Sequence, residues 1–94
     1  MIFDWDPRKA ERNAAKHGVT FEQASEVFSD PDHLASDDIF DGTEQRYSVI
    51  GMSGDLLLLL VVCSFRGDEI VRIISARKAN SYEREAYTGQ YDES

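Results

Sequence analysis

The stretch Glu69–Lys78, Glu-Ile-Val-Arg-Ile-Ile-Ser-Ala-Arg-Lys, decides the fold. Five of its ten residues are apolar, and Ile70, Val71, Ile73 and Ile74 are β-branched. That composition suits a pleated, buried strand. Upstream, Leu56–Val62 is an unbroken apolar run, and Arg66-Gly67-Asp68 between the two is a turn signal. Two such runs and a short loop predict a hairpin at the middle of a sheet. The second strand also carries Arg72 within it and Arg77-Lys78 at its exit. An unpaired guanidinium is costly to bury. These cations must therefore sit at a rim, pair with acids or face a ligand.

Working outward, Ser53-Gly54-Asp55 turns into the run that starts at Leu56, and Arg46–Gly51 precedes it as a further strand. Three antiparallel strands on tight loops predict a meander. His33–Ser36 reads as a short edge strand followed by an acidic loop through Gly42. Toward the N-terminus, Ile2–Trp5 is a short first strand. Asp6-Pro7 starts a helix that runs to His17 and stops at Gly18. Thr20 and Gln23 form a capping box for a second helix, with Phe21, Ala24, Val27 and Phe28 on its core face. Asn80–Glu83 starts a short helix over Tyr82–Thr88, closed by Gly89, and Gln90–Ser94 is an acidic tail. The expected order is β-α-α-β-β-β-β-α. It gives an α+β domain with a small antiparallel sheet, two N-terminal helices and a short C-terminal helix.

Ninety-four residues make one domain, 1–94. The lone Cys63 excludes an internal disulfide and fits a reducing compartment. The N-terminus has no basic leader, and no apolar run is long enough to span a bilayer. A soluble, cytoplasmic protein with no membrane contact is expected. The net charge of −8 argues against a general nucleic-acid binder. The charge is unevenly spread, however. Gly18–Gln45 contains no Lys or Arg, and the bases concentrate in Arg8–Lys16 and Arg66–Arg84. Asp37, Asp38 and Asp41 do not match a calcium loop, and His33 has no ligand cluster around it. No metal or cofactor is expected.

Several pieces of the chain resemble the BrnT toxins of type II toxin–antitoxin systems. They are Phe3-Asp4-Trp5-Asp6 with Lys9, Lys16-His17-Gly18-Val19 with Phe21-Glu22, Asp30-Pro31, Glu44-Gln45-Arg46 and Gly51. They continue with Arg66-Gly67-Asp68, Arg72–Ala79, Glu83 and Tyr87. The resemblance covers the chain from Phe3 to about Tyr87. It implies a RelE-like ribonuclease fold and a BrnA-like antitoxin that holds the toxin inactive. Cys63-Ser64-Phe65 stands where many relatives carry His-Thr.

Metal-free RNA cleavage must deprotonate a 2′-hydroxyl, protonate a leaving 5′-oxygen and offset charge on phosphorus. Arginine suits the last role through its bidentate fork. The catalytic candidates are Arg46 and Arg77 as phosphate ligands, Lys16 at the nucleophile or transition state, and His17 or Glu22 as general base. Arg66 and Lys78 are candidates to bind phosphate, and Tyr82 and Tyr87 to stack a base or donate a proton. Arg72 is expected in a structural ion pair. Arg8 and Arg12 lie four apart with Lys16 on one helix ridge and are expected to meet the antitoxin, in a 2:2 complex whose toxin touches no DNA. Two other readings remain open at this level: an antitoxin-binding module with little activity, and an interaction domain unrelated to RNA.

Overall fold

The computed structural model describes residues 1–40, 42 and 44–89, with the side chains of residues 38–40 excepted. The tail 90–94 and Asp41 in the acidic loop lie outside the described residues. The elements run β1 (Ile2–Asp4), α1 (Pro7–His17), α2 (Phe21–Glu26), a 3-10 turn (Val27–Ser29), β2 (Leu34–Phe40), β3 (Gln45–Met52), β4 (Leu58–Arg66), β5 (Ile70–Lys78) and α3 (Ser81–Gly89). The strands form one sheet in the order β1-β5-β4-β3-β2.

The helix signals act as read. The Asp6 carboxylate accepts from the Arg8 amide at 2.8 Å, and Pro7 occupies the first turn. Gly18 adopts φ 69°, and its N–H reaches the Ala14 carbonyl at 2.9 Å. This left-handed cap is one that glycine adopts without a Cβ penalty. The reciprocal Thr20–Gln23 capping box is complete.

Three expectations need correction. The sheet is mixed, because β1 pairs parallel with β5, Phe3 lying opposite Val71. A three-residue strand carries no local mark of direction, and only the fold brings it beside a strand some seventy residues away. Next, β2 does not stop at Ser36. It continues to Phe40 across an irregularity between Ser36 and Ile39, with Phe40 paired to Gln45. Backbone pairing with β3 overrides the poor strand propensity of the aspartates. Finally, Leu56 belongs to a turn, exposed and with φ 65°, and β4 begins at Leu58.

One face of the sheet supplies Val49, Leu59, Val61, Cys63, Val71, Ile73 and Ala76 to the core. Val19, Phe21, Ala24 and Val27 from the helical side complete it. The 3-10 turn presses so closely on β3 that a Cβ on Gly51 would lie 2.6 Å from Val27 Cγ1. The opposite face carries the alternate residues, among them Ser48, Ile50, Leu60, Val62 and Ser75. The helix α3 reaches this second face at the Arg77 end.

Asn13 joins the helical layer to the sheet. It is buried on α1, and its amide bonds both backbone groups of Ala76 on β5, donating to the carbonyl at 2.8 Å and accepting from the N–H at 3.1 Å. It also donates to the Val19 carbonyl at 3.0 Å. β1 covers β5 only as far as Arg72, so the Asn13 amide replaces a missing strand at Ala76. Asn13→Ala orphans these buried backbone groups and should cost about 3 kcal/mol. The expected result is a lower urea midpoint with an unchanged m-value.

Candidate functional site

Docking by Asn13 sets which side of α1 meets β5. Lys9, Arg12 and Lys16, spaced i, i+3, i+7, share that side. With His17, Asn13, Ile74 and Ser75 they line a cleft of about 250 Å³. The strand contributes a bulge here. Val62 pairs with Ser75, but Cys63 pairs with Ile73, so Ile74 is the extra residue. Bulges bend the strand that bears them and redirect its side chains. Ile74 and Ser75 thereby both reach the cleft wall.

None of Lys9, Arg12, Lys16 and His17 makes an ion pair with a described residue. The nearest acid effect is at the helix start. The Arg8 amide holds the Asp6 carboxyl below its ordinary value, and the field of Lys9 adds to this. Like charges gathered along one cleft repel one another. Mutual repulsion in the cleft is therefore left for an incoming anion to relieve. A larger cleft, about 370 Å³, is lined by Glu26, Ser29, Asp30, Met52, Ser53 and Gly54. Its two carboxylates and lack of cations make it hostile to phosphate.

The arginines of the second sheet face are arranged differently. Arg72 Nη1 bonds Asp4 Oδ2 at 2.6 Å, as its expected structural pair. Both partners are substantially exposed, so the pair contributes about 0–1 kcal/mol. Arg77 grips Glu83 bidentately, with both contacts at 2.8 Å. Glu83 is further fixed by the Asn80 amide at 2.9 Å as the third residue of a capping box. The Arg77 hydrogen bond holds the Glu83 carboxyl below its ordinary value, and Glu83 in turn raises Arg77. The Arg77 fork is thus occupied by a carboxylate. Arg46 is half-buried on β3, next to Tyr47.

The cleft brings together Lys16, His17 and Arg12 of the residues proposed from sequence. Glu22 is exposed on the first turn of α2 and does not line the cleft. Arg8 lies in a neighbouring depression with Glu11, Arg12 and Ala15. Arg66 and Lys78 are exposed at the two ends of the β4–β5 hairpin, and Tyr82 is exposed on α3. Tyr87 is buried, and its hydroxyl donates to Asp30 at 2.6 Å. Burial pushes the Cys63 thiol up to about 11, which disfavours a thiolate nucleophile. Sequence reasoning gave Lys9 and Asn13 no role in the site. Lys9 was visible three residues before Arg12, but only the position of β5 selects that side of the helix. Among the described residues no three His, Cys, Asp or Glu side chains converge on a metal-sized site.

Fold and cleft define a small α+β domain with a cationic seam between its first helix and its sheet. Residues 5–83 match the family described as the ribonuclease toxin, BrnT, of type II toxin–antitoxin systems, and the chain belongs to that family. Among solved structures, the Brucella abortus ribonuclease toxin BrnT, known at 1.1 Å resolution, is similar with a TM-score of 0.67 and 26% identity. The match covers 86% of this chain and all of that one. No curated protein matches the chain. No helix among the described residues is long and apolar enough to cross a membrane.

Two outcomes follow from the charge arrangement. Arg12→Ala with Lys16→Ala should weaken binding of an uncleavable 2′-O-methyl oligonucleotide at least tenfold. The slope of log affinity against log salt should fall by about 1.4, at roughly 0.7 per lost contact to a single strand.

The second outcome concerns acid. Burial tends to raise Asp30, but hydrogen bonds from Tyr87, Met52 and Asp32 prevail and hold it below its ordinary 3.8. Glu83 likewise lies below 4.5. Groups depressed in the folded state stabilise it fully above their unfolded values and lose that contribution as pH falls through the folded ones. Urea unfolding from pH 6 downward should show stability falling below about pH 4.5, with a shallower fall in Tyr87→Phe.

Proposed function

We propose that this protein is a metal-independent endoribonuclease toxin that inhibits translation in the cytoplasm and has the fold of the RelE-like ribonucleases. The observation that carries this reading is the group of unpaired cations at the α1–β5 cleft of an otherwise acidic member of the BrnT family. In this reading Arg12 and Lys16 hold the scissile phosphate and offset the charge that grows on it. His17, the one imidazole in the cleft, accepts the 2′-hydroxyl proton. The 2′-oxygen attacks phosphorus, the P–O5′ bond breaks, and the leaving oxygen takes up a proton. The products are a 2′,3′-cyclic phosphate and a 5′-hydroxyl. Glu22, outside the cleft, is the less suitable base. Arg46 and Arg77 are phosphate ligands in this scheme only where RNA extends onto the sheet, and Arg77 must then share its fork with Glu83.

The family pairs toxin with antitoxin. We assign that role to a BrnA-like protein that covers Arg8, Arg12, Lys16 and the Arg66–Lys78 region with acidic and apolar side chains. Two antitoxins joined by two-fold symmetry give a 2:2 complex in which this chain touches no DNA. One observation favours a second reading, an antitoxin-binding module with little activity. Carboxylates already hold Arg72 and Arg77.

Induced expression decides between them. A ribonuclease should arrest growth, degrade bulk RNA and be rescued by the antitoxin. Purified protein should keep full activity after exhaustive EDTA treatment and leave cyclic-phosphate ends. His17→Ala should lower the rate by roughly 10²-fold or more. Growth without arrest and intact RNA, together with tight antitoxin binding, would select the binding module.

A further inference from the structure

The cleavage proposed above needs a proton at the departing 5′-oxygen, and a group in the cleft must supply it. Lys9 lines the same cleft as Arg12, Lys16 and His17. It is exposed, and its side chain bonds no described residue. On α1 it stands two turns before His17, about 12 Å along the axis at about 1.5 Å per residue. Arg12 and Lys16 lie between the two in that direction. The cleft therefore has a lysine toward one end, an imidazole at the other and the phosphate-holding cations between them.

In-line displacement puts the attacking and leaving oxygens on opposite sides of phosphorus. His17 takes the proton of the attacking 2′-oxygen, so that oxygen lies at the His17 end. The leaving 5′-oxygen then faces the other end, where Lys9 stands. The remaining lining groups are poorer donors there. Arginine keeps its charge and does not give up a proton. The Asn13 amide is committed to Ala76 and Val19. Ser75 offers only a weakly acidic hydroxyl, and Lys16 adjoins His17 on the side of the nucleophile. We infer that Lys9 is the catalytic acid that protonates the leaving 5′-oxygen. The inference rests on the ribonuclease reading above and adds a residue to its chemistry. As the P–O5′ bond breaks, its electron pair passes to the oxygen, and an N–H of the Lys9 ammonium gives its proton to that pair. Lys9 ends neutral and His17 protonated. Proton exchange with water resets both after the products leave.

The test uses the full chain and an RNA oligonucleotide that spans one of its cleavage sites, made with oxygen or with sulfur at the bridging 5′ position. A thiolate leaves without a proton, because thiols are much stronger acids than alcohols. Lys9→Ala should slow cleavage of the oxygen substrate by roughly 10²-fold or more. It should cut the sulfur substrate at nearly the rate of the unaltered protein. Lys9→Arg keeps the charge but holds its proton. It should bind an uncleavable 2′-O-methyl copy normally and show the same contrast between the two substrates. His17→Ala should be slow on both, since its target is the attacking oxygen. Lys9 is exposed, so the melting midpoints of its variants should stay level.

If Lys9→Ala is equally slow on both substrates, the lysine only binds or positions RNA and the acid assignment is wrong. Unchanged cleavage by Lys9→Ala would overturn it too, as would rescue by sulfur of His17→Ala in place of Lys9→Ala. In these outcomes the unaltered protein still cuts RNA, so the ribonuclease reading stands. An unaltered protein that cuts no RNA fails that reading, and the assignment falls with it.

Discussion

The pairing of the Asn13 amide with the backbone of Ala76 is the constraint on which this structure turns. The strand β5 is an inner strand for three residues, where β1 lies beside it, and an edge strand beyond Arg72. An edge leaves backbone donors and acceptors without partners. A primary amide offers one donor and one acceptor in the spacing of a peptide group, so one side chain can stand in for a strand. Because Asn13 is rooted in α1, the same bonds fix the helix against the sheet. They also tie down Val19, where the chain enters α2. The cationic cleft then forms from residues on either side of Asn13 and the bulged residues just before Ala76. Site and fold share one anchor.

The second theme is the sorting of charge. A chain of net charge −8 has acids to spare, and on the sheet they are used. Asp4 meets Arg72, and Glu83 meets Arg77. These pairs differ in kind. The first is exposed and monodentate, the second is bidentate and part of the capping of α3. With the Tyr87–Asp30 bond, the Arg77–Glu83 pair holds α3 at its two ends. Asp30 is also bonded by the amides of Asp32 and Met52, so it joins the end of the helical layer, β3 and α3. On α1, by contrast, three consecutive turns present cations that make no ion pair with a described residue. Paired cations hold elements together, and unpaired ones are available to a ligand.

Much of the local structure was legible in the residues themselves. Asp6-Pro7, Gly18, and Thr20 with Gln23 mark helix ends through bonds made within a few residues, so their sequence is sufficient. The β-branched run Ile70–Ile74 and the Arg66–Asp68 turn identify the hairpin for the same reason. Lys16 and His17 were recognisable as candidates through the family resemblance carried by Lys16-His17-Gly18-Val19, although a place at a helix end is explained by structure alone. The direction of β1, the continuation of β2 through Asp37 and the bulge at Ile74 were not legible. Each is decided by a partner strand rather than by the residues concerned.

The sequence by itself therefore determined the elements, their order, the unequal spread of charge and the family. All of these depend on short-range bonding or on the linear pattern. Tertiary structure alone decided which cations act together. Nothing in the spacing of Arg8, Lys9, Arg12 and Lys16 says which side of the helix faces β5, or that Glu83 rather than a ligand fills the Arg77 fork. Those outcomes depend on contacts between residues far apart in the chain, Asn13 with Ala76 above all, and they exist only once the sheet has closed against the helix.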